Sequence, residues 1–346
     1  MNVPPIPVST IAETGLQVTQ LGLGTAGLGD LFATVPEAEA QAIAQQAWDC
    51  GVRYYDTAPW YGKGKSEHRI GTFLRQQPRH EFVLSTKVGR VLRAPANPDH
   101  TDPRGPWTGA LPFDLYFDYG YDGIMRSWED SLQRLSVSRV DILFIHDLDH
   151  LYFGSDEGVS AHLGQLYTSG WRALDELRRS GRVGAIGAGI NRANMMPRFL
   201  DLVDLDLFLV AMPYTLLDQD VLDDIFPRCA EQGVQIVIGA PFASGILATG
   251  AVDGATYDYA PATTRILEKT RAIQRICENH HTPLQAVALQ FPVAHPLVVA
   301  AIPGATEAAH VQANVENYAV EVPADLWSEL KTAGLLRADA PTPDVE

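Results

Sequence analysis

Residues 53–71 read RYYDTAPWYGKGKSEHRIG: an apolar run stops at the carboxylate of Asp56, and a Gly-rich turn carrying Tyr61 leads to the next helical period. An apolar strand, a turn and an amphipathic stretch together make one βα unit. The same form recurs along the chain. Candidate strands lie at 20–25, 52–58, 82–88, 140–147, 183–189, 207–214, 234–242 and 297–304. Helical periods run at 36–51, 121–137, 170–184, 222–234 and 263–280, with Pro36 suited to a first turn and Gly51 to a stop. The strands are nearly continuous hydrophobic runs, as parallel strands covered by helices are. Such units without a linker between them predict an α/β fold, one closed (β/α)8 TIM barrel forming a single domain over 1–346. The rival is an open doubly wound sheet, for which GLGTAGLG (22–29) resembles a dinucleotide fingerprint. No helix opens directly from it and no acidic strand end follows about twenty residues on. Gly22, Gly24 and Gly27 instead read as positions of close backbone approach at the barrel mouth.

The totals set outer limits. A chain of 346 residues admits two domains or one barrel, and 46% hydrophobic with 20% charged residues is ordinary globular composition. A formal charge of -16 disfavours nucleic acid and anionic membrane as partners. The start, MNVPPIPVST, lacks the basic and apolar regions of a signal peptide. The longest apolar runs, such as 207–212, fall short of a membrane span. Cys50, Cys229 and Cys277 are odd in number and widely spaced, so free thiols and a cytoplasmic location are expected.

In such a barrel the functional residues stand at the C-terminal strand ends. Those ends offer Asp56, Lys87 and His146. Singly, each has an ordinary explanation: a turn aspartate, a snorkelling lysine, a satisfied core histidine. Together they differ. Lys87 is the only lysine between Lys65 and Lys269, set in an otherwise apolar strand of a chain that elsewhere uses arginine. Asp56 and Lys87 on adjacent strands would form a buried ion pair needing further hydrogen-bond partners. An ammonium near Tyr61 would lower the phenol's pKa and make it a usable acid–base group.

At this point YYDTAPWYGKGKSEHRIG resembles the signature of the aldo-keto reductase superfamily. The likeness extends to a hairpin-like start at 13–29, STK (85–87), DILFIHD (141–147), APFASGIL (240–247) and IPGATEAAHVQANVE (302–316). It implies a (β/α)8 barrel that uses a nicotinamide cofactor, with a catalytic tetrad on Asp56, Tyr61, Lys87 and His146. Tyr61 would be general acid in reduction and base in oxidation, and His146 would orient the same substrate oxygen. The cofactor surface so implied comprises Gly24, Thr25, Asp56, Asn191, Ser244, Gly245, Leu247, Gly304, Thr306, His310 and Asn314, with the helix after strand eight adding its N-terminus. Many NADP-using members carry Lys and Arg where Gly304 and His310 stand, and no Lys or Arg occurs from 303 to 330. NAD is therefore the better fit, with NADP the alternative. Gly239 stands where a nicotinamide-stacking tyrosine is common, and the usual Ser-Asn pair is altered to GIN (189–191).

The stretch 90–120 is too long and Pro/Gly-rich for a plain connection. Its Trp107, Phe113, Tyr116 and Phe117, with Trp60, could wall a substrate pocket. Asp147, Asp149 and His150 form a polar cluster fit for hydroxyl groups. The motifs are similar to the subgroup of aldose 1-dehydrogenases (L-fucose, D-threo-aldose, L-galactose) and pyridoxal 4-dehydrogenase. Oxidation of a cyclic hemiacetal to its lactone follows as the expectation, with a small-molecule sugar or aldehyde as partner. Rival readings are an NADPH-dependent carbonyl reductase, a Schiff-base aldolase using Lys87, and a non-catalytic nicotinamide-binding subunit.

Overall fold

The structure is a computed structural model that describes residues 4–97 and 105–343. The predicted strands appear as β1 (Leu23–Gly24), β2 (Tyr54–Asp56), β3 (Val83–Val88), β4 (Ile142–His146), β5 (Ala185–Ile190), β6 (Leu207–Val210), β7 (Gln235–Ile238) and β8 (Val298–Ala301). They pair in chain order as one parallel eight-stranded sheet. The sheet closes on itself. Leu21 and Gly24 bridge in parallel to Ala301 and Gly304, and Gly22 N donates to Ala301 O at 2.9 Å. This seam explains the early glycines. A Cβ on Gly22 would lie 2.7 Å from Ile302, one on Gly24 2.7 Å from Ile302 O, and one on Gly27 would strike Ala305 O. They admit the backbone of the β8 end and are not a dinucleotide fingerprint.

Strands β3, β4 and β5 are buried along their whole length, which is why their sequences run apolar without alternation. Inside the barrel Tyr54, Ile142, Phe144, Leu207 and Val299 pack with Ile11 and Val18. Those two come from an antiparallel hairpin, Val8–Ile11 with Leu16–Thr19, lying against the barrel's N-terminal end. A larger apolar shell between sheet and helices includes Leu84, Leu143, Ile145, Ile186 and Phe208. The helices fall where the periodicity predicts them, at Glu37–Asp49, Tyr121–Leu135, Trp171–Arg179, Ile225–Glu231 and Thr264–Asn279. Pro36 caps the first and Gly51, at φ 85°, ends it.

The long stretch after β3 is no bare loop. Arg90–Arg93 pairs antiparallel with Asp114–Phe117 as a two-stranded ribbon over the mouth; residues 98–104 lie outside the described residues. A second small hairpin, Thr256–Tyr257 with Ala260–Pro261, follows β7. The cysteines are free thiols, and burial pushes Cys229 and Cys277 up to about 12. Among the described residues no helix is long and apolar enough to cross a membrane.

Candidate active site

Register places Asp56 opposite Ser85, so Lys87 follows one inward step further along β3. Lys87 Nζ donates to Asp56 Oδ2 at 2.6 Å and to Thr57 O at 2.8 Å, while Ser85 Oγ donates to Asp56 Oδ1 at 2.7 Å. A fully buried pair is tolerable only with such extra hydrogen bonds. Burial pushes the Asp56 carboxyl up, and Lys87 and Ser85 pull back only part of that rise.

Tyr61 sits in the tight turn between β2 and the helix Lys65–Leu74, its N–H donating to Ala58 O and its carbonyl accepting from Ser66 N, both at 3.1 Å. Gly29 presses on this turn: a Cβ there would lie 2.5 Å from Tyr61 C. Lys87 Nζ lies 4.6 Å from the Tyr61 ring centroid, and the His146 ring meets it edge-on at 5.9 Å. The four expected residues are thus brought together at the C-terminal mouth. One expectation fails. Burial, then the Asp56 and Asp147 carboxylates, drive the Tyr61 phenol well above its ordinary pKa, against which Arg90 works. The Lys87 ammonium, paired with Asp56, does not offset that rise. His146 moves the other way: burial first, then Arg90 and Lys87, hold it well below the usual imidazole value, so it is neutral at physiological pH.

Asp147 stands at the end of β4 with φ 45°, and its carboxylate is a hub. Oδ2 accepts from Arg90 Nη2 at 2.6 Å and lies 3.2 Å from His146 Nε2; Oδ1 accepts from Asn191 Nδ2 at 2.9 Å. Burial pushes it up to about 6 despite Arg90. It is largely engaged within the protein, which weakens its expected part as a hydroxyl binder. The rest of that polar cluster has partners within the protein. Asp149 caps the one-turn helix His150–Phe153 and accepts from Asn191 N at 3.2 Å, and His150 pairs with Asp156 at 2.9 Å.

Of the expected pocket aromatics, Trp107 packs against both Tyr61 and Trp60, each pair of ring centroids 5.7 Å apart. Phe113 makes no ring contact with them among the described residues, and Tyr116 lies beside Arg93. Phe117 faces Arg90, Tyr119 and Phe153. Two residues escaped the sequence reading. Arg90 opens the ribbon yet is 1% exposed, and nothing in KVGRVLR signals burial. Tyr259, at the turn of the small hairpin, is 46% exposed and its N–H donates to Ser244 Oγ at 3.1 Å.

The cofactor set divides. After β7, Ala243, Ser244 and Gly245 take successive positive φ of 49°, 62° and 103°. Within this turn Ala243 N donates to Ala240 O and Gly245 N to Phe242 O, both at 2.9 Å. Two non-glycine residues at positive φ cost about 1–2 kcal/mol each, a strain kept only where surroundings require it. Gly304 is exposed, with only Gly24 O near its Cβ position, and Asn314 lines a crevice beside Pro303. Thr306 and His310 are 3.4 Å apart on the same turn. Asn191 holds its Nδ2 on Asp147 and Asp149, leaving its carbonyl oxygen free. Thr25 is fully buried and donates both N–H and hydroxyl to Asp56 O, and so braces the tetrad turn. Leu247 is a core residue. The helix Ala308–Tyr318 has its first N–H taken by Glu39 Oε1 at 2.7 Å.

A buried phenol and a neutral imidazole meeting at one point, backed by an ion pair, can exchange a proton with a substrate oxygen. That is the protein's half of an oxidoreduction at a carbon–oxygen bond. The chain belongs to the aldo/keto reductase family, whose model matches residues 20–334. It is 38% identical over 334 residues to pyridoxal 4-dehydrogenase of Microbacterium luteolum, covering 94% of this chain and 97% of that protein. It is 40% identical to D-threo-aldose 1-dehydrogenase of a Pseudomonas species, over 96% of this chain and 98% of the relative. An aldo-keto reductase from Bacillus halodurans in its holo form shares the fold, with TM-score 0.74 at 22% identity over 97% and 98% of the two chains. The protein is an NAD(P)-dependent oxidoreductase.

Proposed function

We propose that this single-domain barrel oxidises a cyclic hemiacetal, an aldose or pyridoxal, to its lactone with NAD. The observation that carries the proposal is the meeting of Tyr61, His146 and the buried Asp56–Lys87 pair at one point of the mouth. The similarity to an aldose and a pyridoxal dehydrogenase supports the substrate class. Bound nicotinamide supplies the hydride acceptor. Tyr61, in its ionised form, takes the proton of the anomeric hydroxyl as its carbon gives up hydride. Neutral His146 orients that oxygen through its dipole, and Lys87, fixed by Asp56, holds the phenol ring in place. Asn191, through its free carbonyl oxygen, is assigned to the nicotinamide amide, and the strained turn at Ser244 and Gly245 to the phosphates. Trp60 and Trp107 wall the substrate.

NAD rather than NADP follows from charge. Around the N-terminus of the helix Ala308–Tyr318 stand Glu39 and Glu307, with no Lys or Arg from 303 to 330 to meet a second phosphate. A small sugar or aldehyde is the partner, and the free thiols suit a cytoplasmic location.

The raised Tyr61 phenol supports a second reading, in which the physiological direction is carbonyl reduction, where the protonated phenol is the active form. The test is formation of reduced nicotinamide from L-fucose, L-galactose and pyridoxal with NAD or NADP, beside Tyr61→Phe. Turnover with NAD that disappears in the variant supports the lactone-forming reaction. Silence on this panel, with rapid NADPH-dependent aldehyde reduction, rejects it for the second reading.

A further inference from the structure

Arg90 is among the largest fully buried side chains, and only one of its nitrogens is satisfied. Nη2 donates to Asp147 Oδ2 at 2.6 Å, while buried Nε and Nη1 donate to no acceptor. Its Cζ lies 4.0 Å from the Tyr152 ring centroid, 5.1 Å from that of Trp60 and 5.2 Å from that of Phe117. Aromatic faces stabilise a cation, but they do not accept the in-plane N–H groups of a guanidinium as a carboxylate would. Stranded buried donors are rare in native structures and call for a physical reason. Pairing Asp147 alone would not require arginine's fork.

The position supplies the reason. The same Asp147 oxygen that holds Arg90 lies 3.2 Å from His146 Nε2, and Trp60 is the chain neighbour of Tyr61. Asn191 fixes the other carboxylate oxygen, so the guanidinium is held in orientation one group away from the proton-handling pair. Tyr152, on a one-turn helix and 36% exposed, is the wall of this pocket nearest to solvent.

We propose that Arg90 is a substrate-anchoring residue, one of whose unpaired N–H groups binds an oxygen on the carbon next to the one that exchanges hydride. The inference rests on the hemiacetal reading above and narrows it to 2-oxygenated substrates. An aldose carries such an oxygen as its 2-hydroxyl; pyridoxal, whose phenolic oxygen stands one carbon further from the formyl carbon, does not. A charge-assisted contact of this kind separates a substrate from its deoxy analogue because the deoxy form leaves the buried donor unmet.

The test is a ratio of kcat/KM values. In the oxidative arm, an aldose is compared with its 2-deoxy analogue using NAD. In the reductive arm, lactaldehyde is compared with propanal using NADH or NADPH. Wild type is expected to favour the oxygenated member by about 10–100-fold, and Arg90→Lys and Arg90→Gln to bring the ratio toward 1. A wild-type ratio near 1 in whichever arm turns over overturns the proposal without any variant, as does a ratio that both variants preserve. Failure of the hemiacetal reading looks different: no sugar is oxidised, while the reductive ratio still reports on Arg90.

Discussion

The direction of the Tyr61 shift has a kinetic signature. Burial and two nearby carboxylates hold the phenol protonated beyond its ordinary range near 10. Below that range the ionised fraction rises tenfold per pH unit, and at pH 7 it is under about 10⁻³. Oxidation needs a proton acceptor and reduction a donor. The sign is therefore fixed: the oxidative kcat should climb about tenfold per unit from pH 6 to 9, while the reductive kcat stays flat and falls only at higher pH. Tyr61→Phe should lower both by about 10²–10⁴-fold, or roughly 2.7–5.4 kcal/mol in activation free energy. Stability should hardly change, because the ring contacts with Lys87, Trp107 and His146 survive the loss of one oxygen. The assay is initial rates in both directions at saturating substrate across pH 6–10, with thermal melts of each protein. A flat oxidative profile would refute the phenolic base. So would a variant that keeps the wild-type slope, or one whose melting point drops as steeply as its activity.

Three further substitutions probe the frame of the site. Gly29→Ala puts a Cβ 2.5 Å from Tyr61 C and 2.6 Å from Gly62 N. It should displace the turn and cut kcat at least about tenfold, and steady-state kinetics showing unchanged turnover would contradict the role given to this packing. Asp30 accepts from Lys65 at 2.7 Å and Arg69 at 2.8 Å; burial works against its charge, but Lys65, the Val35 N–H and Arg69 outweigh it and lower the pKa. Asp30→Asn should lose about 3 kcal/mol at pH 7. A depressed folded pKa means this stability is present above about pH 4 and fades as pH falls further, so urea midpoints of the two proteins should converge in acid. An undiminished gap at low pH would assign the loss to packing. Glu39→Lys replaces the carboxylate on Ala308 N with a cation, so NADP should gain on NAD by tenfold or more in kcat/KM. An unmoved ratio would place the second phosphate elsewhere.

The barrel was legible because each of its strands is buried on both faces, so continuous apolar runs bounded by glycines announced them without any tertiary information. Asp56, Lys87 and His146 were legible for the complementary reason, as polar residues closing strands that otherwise admit none. What escaped depends on chain segments far apart in sequence. Arg90 lies in KVGRVLR, where an arginine after a glycine reads as solvated. It is buried because Trp60 from the β2 loop, Phe117 from the ribbon's return and Tyr152 from the β4 loop converge on it. The ionisation of Tyr61 was misjudged on the same ground. Its neighbours could be named from sequence, but desolvation is set by everything that excludes water, and here that includes Trp107, in the segment between the two ribbon strands.

The contrast between Asp56 and Asp147 follows from these surroundings and bears on function. Both carboxylates are buried at strand ends and both face a cation. Asp56 faces Lys87, whose Nζ also reaches a backbone carbonyl, so the pair closes on itself within two adjacent strands. Asp147 faces an arginine with two donors left over, beside a neutral histidine and an amide whose carbonyl oxygen is open. A closed pair fixes geometry; an open one leaves hydrogen-bonding capacity that only a ligand can fill. The first arrangement suits the unchanging proton chemistry, and the second is where substrate choice can be made.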